Sequence, residues 1–346
     1  MTTNPVLVEV LRGNHVESWH RGAVAVVDAD GRLVAALGDV DRPVFARSAV
    51  KPLQALPLVA GGAAERFGLG DDELALACAS HNGEPVHVRT ARSMLAKAGL
   101  DADVLECGVH WPYHEAAQRA LAAAGERPDA LHNNCSGKHA GFACVGCLLA
   151  AARGEEPRGF LRGYVRADHP VMQEVTAALQ ATTGFDPATA PMGIDGCAIP
   201  TWGIAPRALA LGFARLATGR GIDAPYARAA RRLRAAMAAA PYLVGGAERF
   251  DTQVMQRLGE RVCCKAGAEG VHCAALPTLG LGVAVKVDDG ATRAASAAMA
   301  ATVAAWLELD ADERGFVDAL AAAPVTNRHG AVVGRLRVVA TPTRAR

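Results

Sequence analysis

Strand-length apolar runs open and close this chain, and helical periodicity fills the middle. Val6 to Leu11, Gly22 to Asp28 and Arg32 to Leu37 read as strands, and Asp28-Ala29-Asp30-Gly31 between the last two reads as a hairpin turn. From about residue 52 to 240 the apolar positions recur at helical spacing. The segments expected to be helical are Leu53 to Ala60, Asp71 toward Ala79, Pro85 to Ala98, Glu115 to Ala124, Lys138 to Ala152, Pro170 to Thr182, Ala205 to Ala217 and Pro225 to Ala239. Gly99, Gly125, Gly154, Gly184 and Gly219 stand where helices should stop. After Phe250 strands return, as Arg261 to Lys265, Val271 to Leu276 and Leu279 to Val287. Helices over Ala291 to Leu309 and Glu313 to Ala322, and a strand over Val332 to Val339, finish the pattern. The expected fold is α+β: one domain over 1–346, with an antiparallel sheet built from about 1–45 and 250–346 and a helical region inserted at about 52–240.

Composition narrows the function classes. Of 346 residues, 51% are hydrophobic and 21% charged, enough for a large core. With 36 basic and 35 acidic residues, the net charge of +1 gives no field for nucleic acid. Arg228, Arg231, Arg232 and Arg234 fall at helical spacing and read as a solvated face. No run approaches a membrane span, and Met1 to Val6 has no signal-peptide pattern. Nine scattered cysteines suggest reduced thiols and a cytoplasmic setting.

The chemistry centres on Arg47-Ser48-Ala49-Val50-Lys51-Pro52. Ser-x-x-Lys places a hydroxyl and an amine on one face of a helical turn, and a neutral lysine can activate the serine. Alone it is a common chance pattern. It is followed by Ser80-His81-Asn82-Gly83, with Glu84 beside it, and later by Lys265-Ala266-Gly267 at a strand end. The order Ser-x-x-Lys, Ser-x-Asn, Lys-x-Gly resembles the motif set of serine β-lactamases and penicillin-binding proteins. On this reading Ser48 is the nucleophile, Lys51 the base, Ser80 a proton shuttle, and Lys265 a second cation that lowers the pKa of Lys51. Gly267 lets the strand approach a substrate, and the N–H groups of Ser48 and Ala268 are oxyanion donors.

Two further stretches are distinctive: Asn133-Asn134-Cys135-Ser136-Gly137-Lys138-His139 and Gly193-Ile194-Asp195-Gly196-Cys197. With the three motifs above, they make the chain resemble the Rhizobium-type L-asparaginases, the L-asparaginase II family, over nearly its whole length. The resemblance implies a serine β-lactamase/glutaminase-like fold, a homodimer, and hydrolysis of L-asparagine to L-aspartate and ammonia. It assigns nucleophile and base to Ser48 and Lys51, the second serine to Ser80, and zinc ligands to Cys135, Lys138 and Cys197. It makes Asp195 a site carboxylate and puts His139 and Lys265 in the substrate pocket. Arg47, His81, Asn82 and Glu84 are further polar groups expected near substrate. Chemistry alone would choose His139 as the third metal ligand, because a lysine must lose its proton to bind.

Glutamine or another amide is the alternative substrate, since one methylene gives only about 10–200-fold discrimination. A metal- or ligand-binding protein without catalysis is the alternative from another class. Cys144-Val145-Gly146-Cys147 lies within a helix and is not expected to bind metal or act in redox chemistry. Cys78, Cys107, Cys263, Cys264 and Cys273 are expected in the core, and His110 and His114 at a surface or interface.

Overall fold

The structure, a computed structural model, describes residues 3–343; the remaining positions of the 1–346 span lie outside it. Its strands are β1 (Val6–Arg12), β2 (His15–Asp28), β3 (Leu33–Leu37), β4 (Val44–Phe45), β5 (Met192–Ile194), β6 (Pro200–Ile204), β7 (Cys263–Ala266), β8 (Val271–Leu276), β9 (Leu281–Val287), β10 (Pro324–Thr326) and β11 (Val332–Val338). Eight of them form an antiparallel sheet in the order β10-β11-β1-β2-β9-β8-β7, with β3 also on β2. Both chain ends therefore meet in one sheet, and the fold is α+β as expected.

The 14-residue β2 is the seam of that sheet. Its first half pairs with β1. Its second half is bonded on both edges, Val24 lying between Leu37 of β3 and Val285 of β9. The burial pattern changes accordingly. The first half alternates, while Ala23 to Val27 are all buried, as a strand covered on both faces requires. Helices Pro206–Thr218 and Thr292–Trp306 pack against β9. The Asp28–Arg32 turn closes through Gly31 at φ +87°, which the aspartate-glycine pair foretold.

The expected helices are present with ends shifted by a few residues, and the five glycines at their ends all have positive φ. Three features differ from expectation. The run Leu53 to Ala60 breaks into Lys51–Gln54 and Leu56–Ala60, each with proline in its first turn. The inserted region carries a small sheet, β4-β6-β5, in addition to helices. Phe250–Leu258 is a helix where strands were expected to resume. No helix among the described residues is long and apolar enough to cross a membrane.

Gly282 on β9 marks the closest approach of sheet and helix. A Cβ there would lie 1.9 Å from the Ala210 carbonyl oxygen and 2.4 Å from the Ala214 nitrogen. Both neighbours are backbone and cannot rotate away. Gly282→Ala should destabilise the protein by at least about 3 kcal/mol, measured by urea unfolding against wild type.

Candidate active site

Ser48 sits on a 3₁₀ turn, Arg47–Val50, that runs directly into helix Lys51–Gln54. Arg47 enters the turn at φ +50°, a left-handed conformation that an arginine adopts only at a cost of about 1–2 kcal/mol. Ser48 itself is half-buried and reachable. Behind it, Gly267 at the end of β7 is pressed onto the turn. A Cβ on Gly267 would come within 2.9 Å of the Ala46 carbonyl and 3.0 Å of the Ala49 nitrogen. The third motif thus meets the first through a glycine that no larger residue could replace.

Lys51 is wholly buried and its amine is surrounded by acceptors: the Ala79 carbonyl at 2.5 Å, Ser80 Oγ at 3.0 Å, Cys135 Sγ at 3.1 Å and the Asn134 carbonyl at 3.5 Å. Among the described residues no hydrogen bond joins it to Ser48. Burial holds its pKa below the ordinary lysine value, against the pull of Cys135 and Cys197. The cation pressing on it most is Lys138, not Lys265 as the sequence suggested.

The Asn133–His139 stretch is a turn leading into helix Ser136–Arg153. Gly137 lets this helix lie against helix Asp71–Ala77, since a Cβ would meet both the side chain and the carbonyl of Leu76 at 2.4 Å. That contact sets Cys135 and Lys138 beside the Ser80 loop. The Cys197 thiol donates to Cys135, whose own pKa is thereby held well below the usual thiol value. Lys138 Nζ is 3.0 Å from Cys197 Sγ. Burial opposes its charge, but the two cysteines and Asp195 outweigh this and raise it to about 12. Cys197 Sγ lies 3.9 Å from Asp195 Oδ2, and Asp195 Oδ1 accepts from Arg47 Nε at 2.7 Å. An unbroken polar chain therefore runs from Ser80 through Lys51, Cys135, Cys197 and Asp195 to Arg47, next to Ser48.

The other sequence-selected residues are placed as follows. His139 is buried, with Nδ1 2.6 Å from the Tyr164 hydroxyl, which accepts the Glu106 N–H at 3.1 Å. Nε2 has no partner among the described residues. Lys138, and not His139, is the group touching Cys197. His81 has both ring nitrogens occupied, by Ser136 Oγ at 2.9 Å and the Gly83 N–H at 3.1 Å, so neither is left for a ligand. Glu84 and Asn82 are likewise committed inward. Glu84 accepts from Asn82 Nδ2, the Ala247 N–H and the Tyr242 hydroxyl, tying the Gly245–Glu248 loop over the Ser80 loop.

Lys265 is fully buried, with Nζ 2.6 Å from the Ala266 carbonyl and 3.5 Å from Asp251 Oδ2. Asp251 also accepts from His272 Nε2 and the Ala266 N–H, both at 2.9 Å. Sequence reading missed Asp251, a lone acid in a segment expected to return to strand. With Cys264 and His272 it forms a cluster whose ligand atoms lie within 4.8 Å of one another, a donor set capable of coordinating a metal ion. Its carboxylate already has three donors. Tyr164 and Tyr242 were missed too, since a single tyrosine far along the chain gives no spacing signal.

A family model described as L-asparaginase II matches residues 8–338, nearly the whole chain. The chain belongs to the L-asparaginase II family. A comparison with curated proteins finds no match. Among solved structures, a crystal structure of Mglu is 17% identical with a TM-score of 0.33, covering 80% of this chain and 64% of its own. The chain thus spans less than two thirds of that protein's length. A β-lactamase from Mycobacterium bovis is 17% identical with a TM-score of 0.38, covering 79% of this chain and 89% of its own.

Burial lowers Lys265 from 10.5 to about 8, with Asp251 opposing and Lys51 assisting. Between these values the unfolded chain holds a proton that the folded chain has released, so stability rises with pH through that window. The stability of wild type minus that of Lys265→Met should therefore increase from pH 8 toward pH 10.5, measured by urea unfolding at each pH.

Proposed function

We propose that the protein is a Rhizobium-type L-asparaginase, hydrolysing L-asparagine to L-aspartate and ammonia through an acyl-Ser48 intermediate. The observation that carries this is the unbroken polar chain from Ser80 through Lys51 to Arg47, in a member of the L-asparaginase II family. Ser48 attacks the side-chain amide carbon, and Lys51 takes its proton. A neutral amine is needed for this, and burial favours it. The backbone N–H groups of Ser48 and Ala268 receive the oxyanion. Ser80, bonded to Lys51 at 3.0 Å, returns the proton to the leaving nitrogen, and ammonia departs. Water then attacks the ester by the same route in reverse and releases aspartate.

Recognition of the amino-acid head falls to Arg47 and Asp195. Arg47 spends Nε on Asp195, leaving its terminal nitrogens for the substrate α-carboxylate. Asp195 Oδ2, 3.9 Å from Cys197 Sγ, has lone-pair capacity left for the α-ammonium. His139 Nε2, without a partner among the described residues, is a further polar group for the substrate. Lys265 supplies positive charge from behind the Ser48 turn.

Zinc fits the residues present. Two buried sulfurs in contact and an amine 3.0 Å from one of them are a soft, compact donor set. Cys135, Lys138 and Cys197 would hold the ion, Lys138 giving up its proton on binding. When bound, zinc supplies a Lewis-acid charge that orients the substrate. The homodimer belongs to the same family reading, and the cytoplasmic setting to the reading of nine scattered cysteines as reduced thiols.

Ser48→Ala and Lys51→Ala should keep the wild-type circular dichroism spectrum yet lose at least about 10³-fold in kcat for ammonia release from asparagine. Comparable turnover of glutamine by wild type would move the substrate assignment to the larger amide. Purified protein should carry about one zinc per chain by mass spectrometry of metals, and Cys135→Ser or Cys197→Ser should carry far less.

A further inference from the structure

We propose that Asp251 is a positioning residue for the reaction, acting through Lys265, and that the Asp251–His272 pair fixes that amine and does not serve as a metal centre. The proposal rests on the reading of Lys265 as part of the catalytic machinery.

Asp251, Lys265 and His272 are 3%, 0% and 1% exposed, so none can turn to water for a partner. Asp251 Oδ1 takes the His272 Nε2 proton at 2.9 Å. Asp251 Oδ2 takes the Ala266 N–H at 2.9 Å and faces Lys265 Nζ at 3.5 Å. The ammonium closes the ring by donating to the Ala266 carbonyl at 2.6 Å. One carboxylate thus grips the amine and the peptide that follows it. His272 anchors the carboxylate from β8, where Phe250 packs edge-on to its ring at 4.8 Å. With Nε2–H donating, Nδ1 is a bare acceptor, and its lack of a partner costs less than a buried N–H would.

The groups facing Lys265 are Asp251, the cations Lys51 and Arg249, and the thiols Cys78, Cys264 and Cys273. Asp251 is the one carboxylate among them. Remove its charge and the amine keeps a single carbonyl acceptor and two cationic neighbours. The residue after Ala266 is Gly267, which is wedged against the Ser48 turn. Asp251 consequently fixes the amine at the strand end that backs the nucleophile. A metal ion at Asp251, Cys264 and His272 would compete with Lys265 for the same carboxylate.

A double-mutant cycle on the full-length protein tests this, with steady-state ammonia release from asparagine as the readout. Asp251→Asn should lower kcat by about 30-fold with KM within about threefold of wild type. In a Lys265→Ala background the same change should alter kcat by less than about twofold, because the group it acts through is gone. Zinc content should be equal in wild type and Asp251→Asn. If Asp251→Asn fails to fold, His272→Leu, which leaves the carboxylate without its anchor, is read in the same cycle. Additive losses, an Asp251→Asn enzyme with wild-type kcat, or a metal ion lost with Asp251 overturn the proposal alone. A Lys265→Ala enzyme with wild-type kcat, or a wild type inactive on asparagine, overturns the underlying function reading as well.

Discussion

Three lysines without access to water set the terms for everything around them. Lys51, Lys138 and Lys265 are each at most 1% exposed. Burying an ammonium costs several kcal/mol unless partners compensate, and each site does so differently. Lys51 is surrounded by carbonyls, a hydroxyl and the Cys135 sulfur, and among the described residues no carboxylate hydrogen-bonds it. Lys138 rests on Cys197 and Lys265 on Asp251. The cysteine pair, the Ser80 loop and the β7 strand end must stand where they do because these amines need them there.

The scaffold meets that demand by close packing at small residues. Gly137 seats the helix bearing Lys138 against the one that leads to Ser80, and Gly267 brings the Lys265 strand to the Ser48 turn. Glu84 then locks the Gly245–Glu248 loop over Ser80. Segments more than 200 residues apart in sequence meet because both chain ends belong to one sheet, which holds β7 beside the N-terminal elements. Sheet and site are two results of the same topology.

Much of the frame could be read from the residues, because turn and cap chemistry is local. Asp-Gly after β2 and the helix-ending glycines act within a few residues of themselves. The small β4-β6-β5 sheet was not legible, since strands of two to five residues show no measurable alternation. Helix Phe250–Leu258 was missed in the segment just ahead of the strand-like runs that begin at Arg261. In the site, residues from the separate motifs gather around Lys51, but motif spacing does not say who touches whom. Lys51 bonds Ser80 and Cys135 across loops whose approach depends on tertiary packing. His81, Asn82 and Glu84 sit in the motif yet point into the scaffold, a distinction that spacing does not encode. Asp251 carried no local signal at all.

Among the described residues, four that are not glycine hold left-handed backbones: Arg47, Ala198, Glu248 and Glu269. They lie respectively just before Ser48, just after Cys197, in the loop locked by Glu84, and in the turn between β7 and β8. Each stores about 1–2 kcal/mol that glycine would release. The loops closest to the chemistry are thus the easiest places to gain stability by substitution. They are also where a looser backbone would blur the spacing of the buried amines. A search for more heat-resistant variants would be drawn first to these positions, and its gains there would come out of the geometry that the site requires.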